Sequence, residues 1–529
     1  MRQNYSNPGN VTEKIKSTGV GGKSGHGKDY FETQHLKDGL KNKAIKGGTV
    51  TVIARAIDYI LHTVGTVFLA RLLSPEDFGL VAMVVTITSV FVVFKDLGLS
   101  EATIQSEKLN HAQVSTLFWL NVVLGTSILL IMALLAPAIA WFYGNQSLVS
   151  ITIVSSLSFL FASLATQHLA LLKRSMGFNK IAVIEIVASL GSIALAVILA
   201  YRGFGYWALV TRPVFLSFFN AFGLWVICGW RPGLPVKGAG VRSLVKFGAN
   251  TSGFYLINYF ARNVDKILVG RFIGAQVLGF YQKAYFLFVL PVNQLTIPLQ
   301  GVGVSTLTKL RNDPSKFKRF FIRALGLLAF VGMPMSAFIA SVGDIIIVLL
   351  LGPQWAEAAE IFAVFSLGAG MQIIYATQGW LHVSLGRSDR WLRWGIIGSG
   401  CMVVSFFIGL PFGATGIAAA YTICLYIVTF PAIWYAGRPV LLSAKEIIAG
   451  IWKYYIASVI AGILAYAVSQ STVNYNSLVR LSIVTVQFTS TYLVIVVILH
   501  GSLGPIKEFS TLLFQSLPLK KKKVSNKFA

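Results

Sequence analysis

Arg55, Asp58 and His62 stand three and seven residues apart, which places them on one face of a helix. Arg262, Asp265 and Lys266 form a second such group, at i, i+3 and i+4. Both groups lie inside runs that are otherwise apolar. Charges in hydrocarbon cost several kcal/mol each, so these faces are expected to look into a bundle interior or a water-filled cavity. Two chemistries fit. Arg55 with Asp58, and Arg262 with Asp265, can form structural ion pairs one turn apart. Alternatively the faces line a polar transport pathway that binds an anion. Pairing leaves His62 and Lys266 without partners, so the pathway is the preferred reading. Arg212 and Lys283, also within apolar runs, join it. Catalysis has less support, because no phosphate-cradling Gly loop, metal-ligand cluster or nucleophile elbow is recognisable. Cys228, Cys401 and Cys424 are scattered and read as packing residues. No resident cofactor or metal is expected.

The elements that carry these residues are long and apolar. The 529 residues are 55% hydrophobic and only 12% charged, with a mean hydropathy of +0.70. Too few charges are available to cover a soluble surface. Apolar runs of about twenty residues, enough to cross roughly 30 Å of hydrocarbon as helices, recur along the chain. About fourteen spans are expected: 50–70, 78–98, 115–142, 148–171, 181–201, 206–228, 247–269, 277–300, 324–342, 358–385, 392–410, 413–436, 448–469 and 479–500. The fold class is therefore an all-α membrane protein.

The net charge of +26 suggests nucleic acid until its distribution is examined. Most of the 45 Lys and Arg residues fall in the tails and in alternate loops, around Lys173–Lys180, Arg231–Lys246, Lys309–Arg323, Arg387–Arg393 and Arg438–Lys445. The opposite loops hold Arg71, Arg202, Arg271 and Arg480. This is the positive-inside asymmetry of a chain with both termini in the cytoplasm. No nucleic-acid partner is expected. The run Lys520–Lys523 reads as a contact to anionic membrane lipid. Lys95 and Lys453 lie near span ends, where they can snorkel to headgroups.

An internal repeat organises the spans. Residues 46–80 align on residues 246–280 without a gap, and Lys46, Gly48, Thr51, Ile57, Tyr59, Val64, Arg71 and Gly79 recur 200 positions later. An offset of six spans keeps the same orientation, so two parallel six-helix lobes are expected, followed by two further helices. The divisions are a Lys-rich tail at 1–45, an N-lobe at 46–230, a linker at 231–246, a C-lobe at 247–436, the last two helices at 437–505 and a basic tail at 506–529. In such transporters substrate lies between the lobes. The Arg71 and Arg271 motif reads as structural. Ser74-Pro75-Glu76-Asp77 has the order of a helix start: cap, Pro at the first position, acids in the first turn.

Several stretches carry a resemblance. "ARLLSPEDFGLVAM" (70–83), "DLGLSEATIQ" (96–105), "STLFWLNVVLG" (115–125), "GRFIGAQVLGFYQKAY" (270–285) and "LLGPQWAEAA" (350–359) together resemble the Wzx-type polysaccharide flippases of the MOP superfamily. The likeness covers roughly residues 45 to 440. It implies a fourteen-helix, two-lobed flippase. Such a protein moves undecaprenyl-diphosphate-linked oligosaccharide across the bacterial inner membrane for exopolysaccharide, capsule or O-antigen assembly. It also implies a cationic cavity for the diphosphate, matched here in placement by Arg55, Arg262 and Lys266. Glycan polymerase and export machinery are the implied protein partners. Coupling to Na+, H+ or the membrane potential is left open. The alternatives are a drug or organic-cation antiporter, a membrane glycan polymerase or ligase, and a passive scramblase. A polymerase or ligase calls for a large outer loop, whereas the longest one expected is "SVGDIIIVLLLGPQW" (341–355), mostly apolar. An antiporter for cations calls for a cavity of net negative charge.

Overall fold

The computed structural model describes residue 30 and residues 40–93, 98–106, 109–236 and 263–516. Among these, every regular element is helical. Helices α1 (Leu40–Leu72), α2 (Pro75–Thr88), α3 (Leu99–Gln105), α4 (His111–Tyr143), α5 (Ser147–Arg174), α6 (Phe178–Tyr201) and α7 (Trp207–Cys228) build the first half. The second half runs through α8 (Val264–Leu268), α9 (Ala275–Lys309), α10 (Pro314–Ser341), α11 (Gly343–Leu351), α12 (Ala358–Leu367), α13 (Ala369–Ser384), α14 (Ser388–Gly409) and α15 (Gly413–Gly437). Last come α16 (Ala444–Ser471), α17 (Ser477–His500) and a short α18 (Gly504–Ser516).

Eleven of these helices or helix pairs are long and apolar enough to cross a membrane, and twelve with α12 and α13 taken as one bent span. One of the eleven, Ser388–Val440, comprises α14 and α15 packed along each other around a tight turn at Leu410–Phe412. The expected span 247–269 falls largely outside the described residues. The protein is a multi-pass membrane protein.

Local sequence explains the boundaries. Ser74 caps α2: its hydroxyl accepts from the Asp77 N–H at 3.2 Å, while the Asp77 carboxylate accepts from the Ser74 N–H at 3.0 Å. Asn110 with Gln113, and Ser443 with Glu446, repeat the device at α4 and α16. The expected span 358–385 is broken at Gly368, with α12 and α13 bent by 47°. The carbonyls freed there find side-chain donors. Tyr426 donates to Leu367 at 3.0 Å, Thr422 to Val364 at 3.1 Å, and Ser336 to Ser366 at 2.5 Å. Broken helices survive at membrane depth only with such partners.

The segment 341–355, expected as an outer loop, is instead α11 followed by a turn at Pro353–Trp355. Its nine helical residues rise only about 13 Å, too short to cross, so the run folds back on the bundle.

The repeat has a physical meaning at Gly79 and Gly279. Helices α2 and α9 cross there, one from each half. A methyl group on Gly79 would overlap the carbonyl oxygen of Ala275, and one on Gly279 would overlap that of Pro75. Pro75 and Ala275 are themselves 200 positions apart. The contact is therefore reciprocal, as at a twofold axis. Only glycine lets the two backbones approach this closely.

Candidate substrate cleft between the two halves

Three helices bring cations together beside the α2–α9 crossing. His62 on α1 lies within the fields of Arg212 on α7, Lys283 on α9 and Asp58 on α1. Arg212 in turn acts on Lys283, and Asp58 on Arg212. Lys283 is 8% exposed. Its Nζ sits 3.9 Å from the centroid of the Phe78 ring and 5.8 Å from that of Phe286. The His62 ring lies 6.5 Å from the same Phe286. An ammonium over two ring faces is held by the ring quadrupoles, and among the described residues it has no ion pair with a carboxylate.

Arg55, Asp58 and His62 are all exposed on α1, within an apolar span that also exposes Ile57, Tyr59 and Ile60. Among the described residues, Arg55 and Asp58 form no ion pair. A carboxylate that the sequence reading missed, Glu185 on α6, shares the fields of Asp58 and Arg55. Its signal was available, since it is an acid inside the apolar run "IAVIEIVASL".

The second group divides away from this cluster. Asp265 is 3% exposed, and one carboxylate oxygen accepts from the Tyr281 hydroxyl at 2.9 Å. Lys266 donates to the Asn263 side chain at 2.9 Å and lies 5.2 Å from the centroid of the Tyr285 ring. Tyr281 and Tyr285 are one turn apart and share a face of α9 with Phe288, packed on Phe365 of α12. Lys283 and Phe286 occupy the other face, toward the first half. Helix α9 thus separates Asp265 and Lys266 from Arg212, His62 and Lys283. Arg262, Tyr255 and Tyr259 lie outside the described residues. Trp380 is buried against Gly303 and serves packing.

The halves are joined at the end away from the basic loops. Arg71, in the last turn of α1, donates through Nε to the Leu350 carbonyl at 3.1 Å and through Nη2 to that of Leu349. These are the unsatisfied C-terminal carbonyls of α11. Gln354 returns the favour, donating to Ala70 O at 2.9 Å and Arg71 O at 3.2 Å, and the Trp355 indole also donates to Ala70 O at 2.8 Å. Trp355 is fully buried, with its ring 5.3 Å from Phe78 and 6.0 Å from Phe280. Arg271 crosses in the opposite sense and lies 5.7 Å from the Phe142 ring of α4. Both motif arginines therefore reach residues across the interface between the halves.

This geometry defines a class: a multi-pass membrane transporter of two halves, sealed at one end, with cations where the halves meet. The sequence model of the polysaccharide biosynthesis protein family matches residues 68–360, more than half of the chain. The chain belongs to that family. It is 27% identical over 390 residues to the teichuronic acid biosynthesis protein TuaB of Bacillus subtilis, covering 72% of this chain and 80% of TuaB. It is 25% identical over 436 residues to the lipopolysaccharide biosynthesis protein WzxC of Escherichia coli, covering 81% of this chain and 88% of WzxC. In fold it is similar to the lipid II flippase MurJ in an inward closed conformation, with a TM-score of 0.66 at 16% identity, covering 86% of this chain and 99% of that one.

Proposed function

We propose that the protein flips undecaprenyl-diphosphate-linked oligosaccharide across the bacterial inner membrane by alternating access, with both termini in the cytoplasm. The observation that carries the reading is the pair Arg212 and Lys283. These cations lie within each other's fields between the halves, with Asp58 as a nearby acid and the Lys283 ammonium set against aromatic rings. A diphosphate cannot cross hydrocarbon unaided and needs fixed donors in a protected site. Arg55 and His62 form the facing wall on α1. Lys266 belongs to the C-lobe side of the path, while Arg262 and a division of the lobes in the linker 231–246 are part of the reading on sequence grounds alone. A cation excess disfavours an organic cation as cargo. Names of relatives that refer to polysaccharide biosynthesis support the substrate class. Release on the far side needs an input: Na+, H+ or the membrane potential, which is worth about 2.3 kcal/mol per charge per 100 mV.

The test is deletion of the gene followed by analysis of the lipid-linked oligosaccharides. The flippase reading expects one species to accumulate on the cytoplasmic leaflet while surface glycan is lost. Normal glycan output with no accumulation overturns it.

A further inference from the structure

A polar cavity lies away from the cation cluster, at the basic end of the bundle. It has a volume of about 200 Å3 and sits where α10, α16, α17 and α18 meet. Its polar lining is Arg323, Lys453, His500 and Glu508. Two glycines line it: Gly326 of α10 packs against the Gly450 carbonyl of α16, and a methyl on either would make only ordinary contacts. The rest of the wall is apolar, with Ile322, Leu327 and Phe330.

Depth identifies the occupant. Arg323 stands nine residues into α10, and Lys453 nine residues into α16. Both cations therefore lie about 13 Å from the basic ends of their helices. They stand at the same height on neighbouring helices, with Trp452, Tyr454 and Tyr455 in the same turn as Lys453, residues of the type that settles at an interface.

The charges are unequally satisfied. Arg323 pairs with Glu508 of α18, whose Phe509 ring packs 5.2 Å from Phe330. His500 stacks on Tyr454 at 5.0 Å, with Nδ1 3.0 Å from the Val496 carbonyl. Lys453 has no carboxylate partner among the described residues; its Nζ lies 5.9 Å from the centroid of the Trp452 ring. The cavity is below the roughly 300 Å3 of a pocket for a drug-sized molecule, so it admits a small headgroup and not an oligosaccharide.

The geometry points to a binding site for the phosphate of an anionic membrane lipid, held by Lys453 and Arg323, with Glu508 of α18 occupying the Arg323 donors when the lipid is absent. The acyl chains run along the apolar wall while the phosphate meets the cations. The site is separate from the substrate cleft and stands whatever that cleft carries.

Native mass spectrometry of the full chain in detergent, titrated with phosphatidylglycerol, reads the site directly. Lys453→Gln is expected to weaken the tightest lipid site about fivefold, the effect of one surface cation. Lys453→Arg keeps most of the binding. Glu508→Gln strengthens it, because Arg323 is released. Lys453 makes no ion pair among the described residues, so its replacement breaks none of them and a loss is not a folding artefact. Phosphatidylcholine and inorganic phosphate are the other arms. The site is overturned if the wild-type and Lys453→Gln titrations superimpose, or if phosphatidylcholine binds as tightly as phosphatidylglycerol. Displacement of phosphatidylglycerol by inorganic phosphate at equal concentration overturns the lipid as the source of the phosphate.

Discussion

The two ends of the interface between the halves are built on opposite principles. At the Arg71 end the helix-terminal carbonyls are matched by donors across the interface. The carbonyls of α11 have the Arg71 donors, the carbonyls of α1 have Gln354 and Trp355, and α2 and α9 touch through bare backbone. At the cation cluster little is matched: Lys283 rests on aromatic rings, and Arg55, Asp58 and His62 stand exposed in an apolar span. A fully satisfied contact holds one arrangement. An unmatched cluster costs stability and waits for a ligand of the opposite sign. The first end is therefore the seal of the observed state, and the second is where binding energy can be used to break it.

Changes at four places break or sharpen this contrast. Gly79→Val forces a side chain into the Ala275 carbonyl, and its cost is at the upper end of overpacking, about 3 kcal/mol or more. Thermal unfolding of the purified protein should show it. Gly279→Val should cost about as much, and the double variant less than the sum, because the two share one contact. Strict additivity would show that the crossing is not reciprocal.

Arg71→Ala strips the donors from Leu349 and Leu350, a loss of about 2 kcal/mol in the seal. In a background without the native cysteines, a cysteine placed at Pro353 should then react faster with a polar thiol reagent. Unchanged reactivity means that Trp355 and the glycine crossing suffice.

Lys283→Gln and Arg212→Gln should each cut glycan export about tenfold, equivalent to 1.4 kcal/mol of lost anion binding, at unchanged protein level. Lys266→Ala serves as the comparison across α9. Should Lys266→Ala abolish export while Lys283→Gln does not, the diphosphate sits on the C-lobe face and the assignment of the cluster is wrong. The smallest effect belongs to Ser74→Ala, which removes one cap of α2 at about 1 kcal/mol. A lower melting temperature with export kept is the expected result.

Much of this was legible in the sequence because it is local. The capping box at Ser74 and Asp77, the apolar spans and the offset of 200 residues are written in neighbouring residues or in a repeat. What escaped depends on partners far apart in the chain. Arg71 reads as structural within its own motif, but that it caps α11 some 280 residues later is visible only in the fold. Asp265 reads as part of a charged face, but the hydroxyl of Tyr281 takes it into the core. Lys283 and Lys266 look equivalent in an apolar run. Only the folded α9, with Phe286 on one face and Tyr285 on the other, divides them.

The position of Gly279 along α9 has a mechanical consequence. The crossing lies four residues from Ala275 and thirty from Lys309. At 1.5 Å per residue the arms are about 6 Å and 45 Å, a lever with its fulcrum near one end. A slip of about 1 Å on the short arm sweeps the far tip through several ångströms, less whatever bending Pro291 and Pro298 absorb. A small rearrangement where the halves are sealed is thus geared up into a wide opening where the long arm ends.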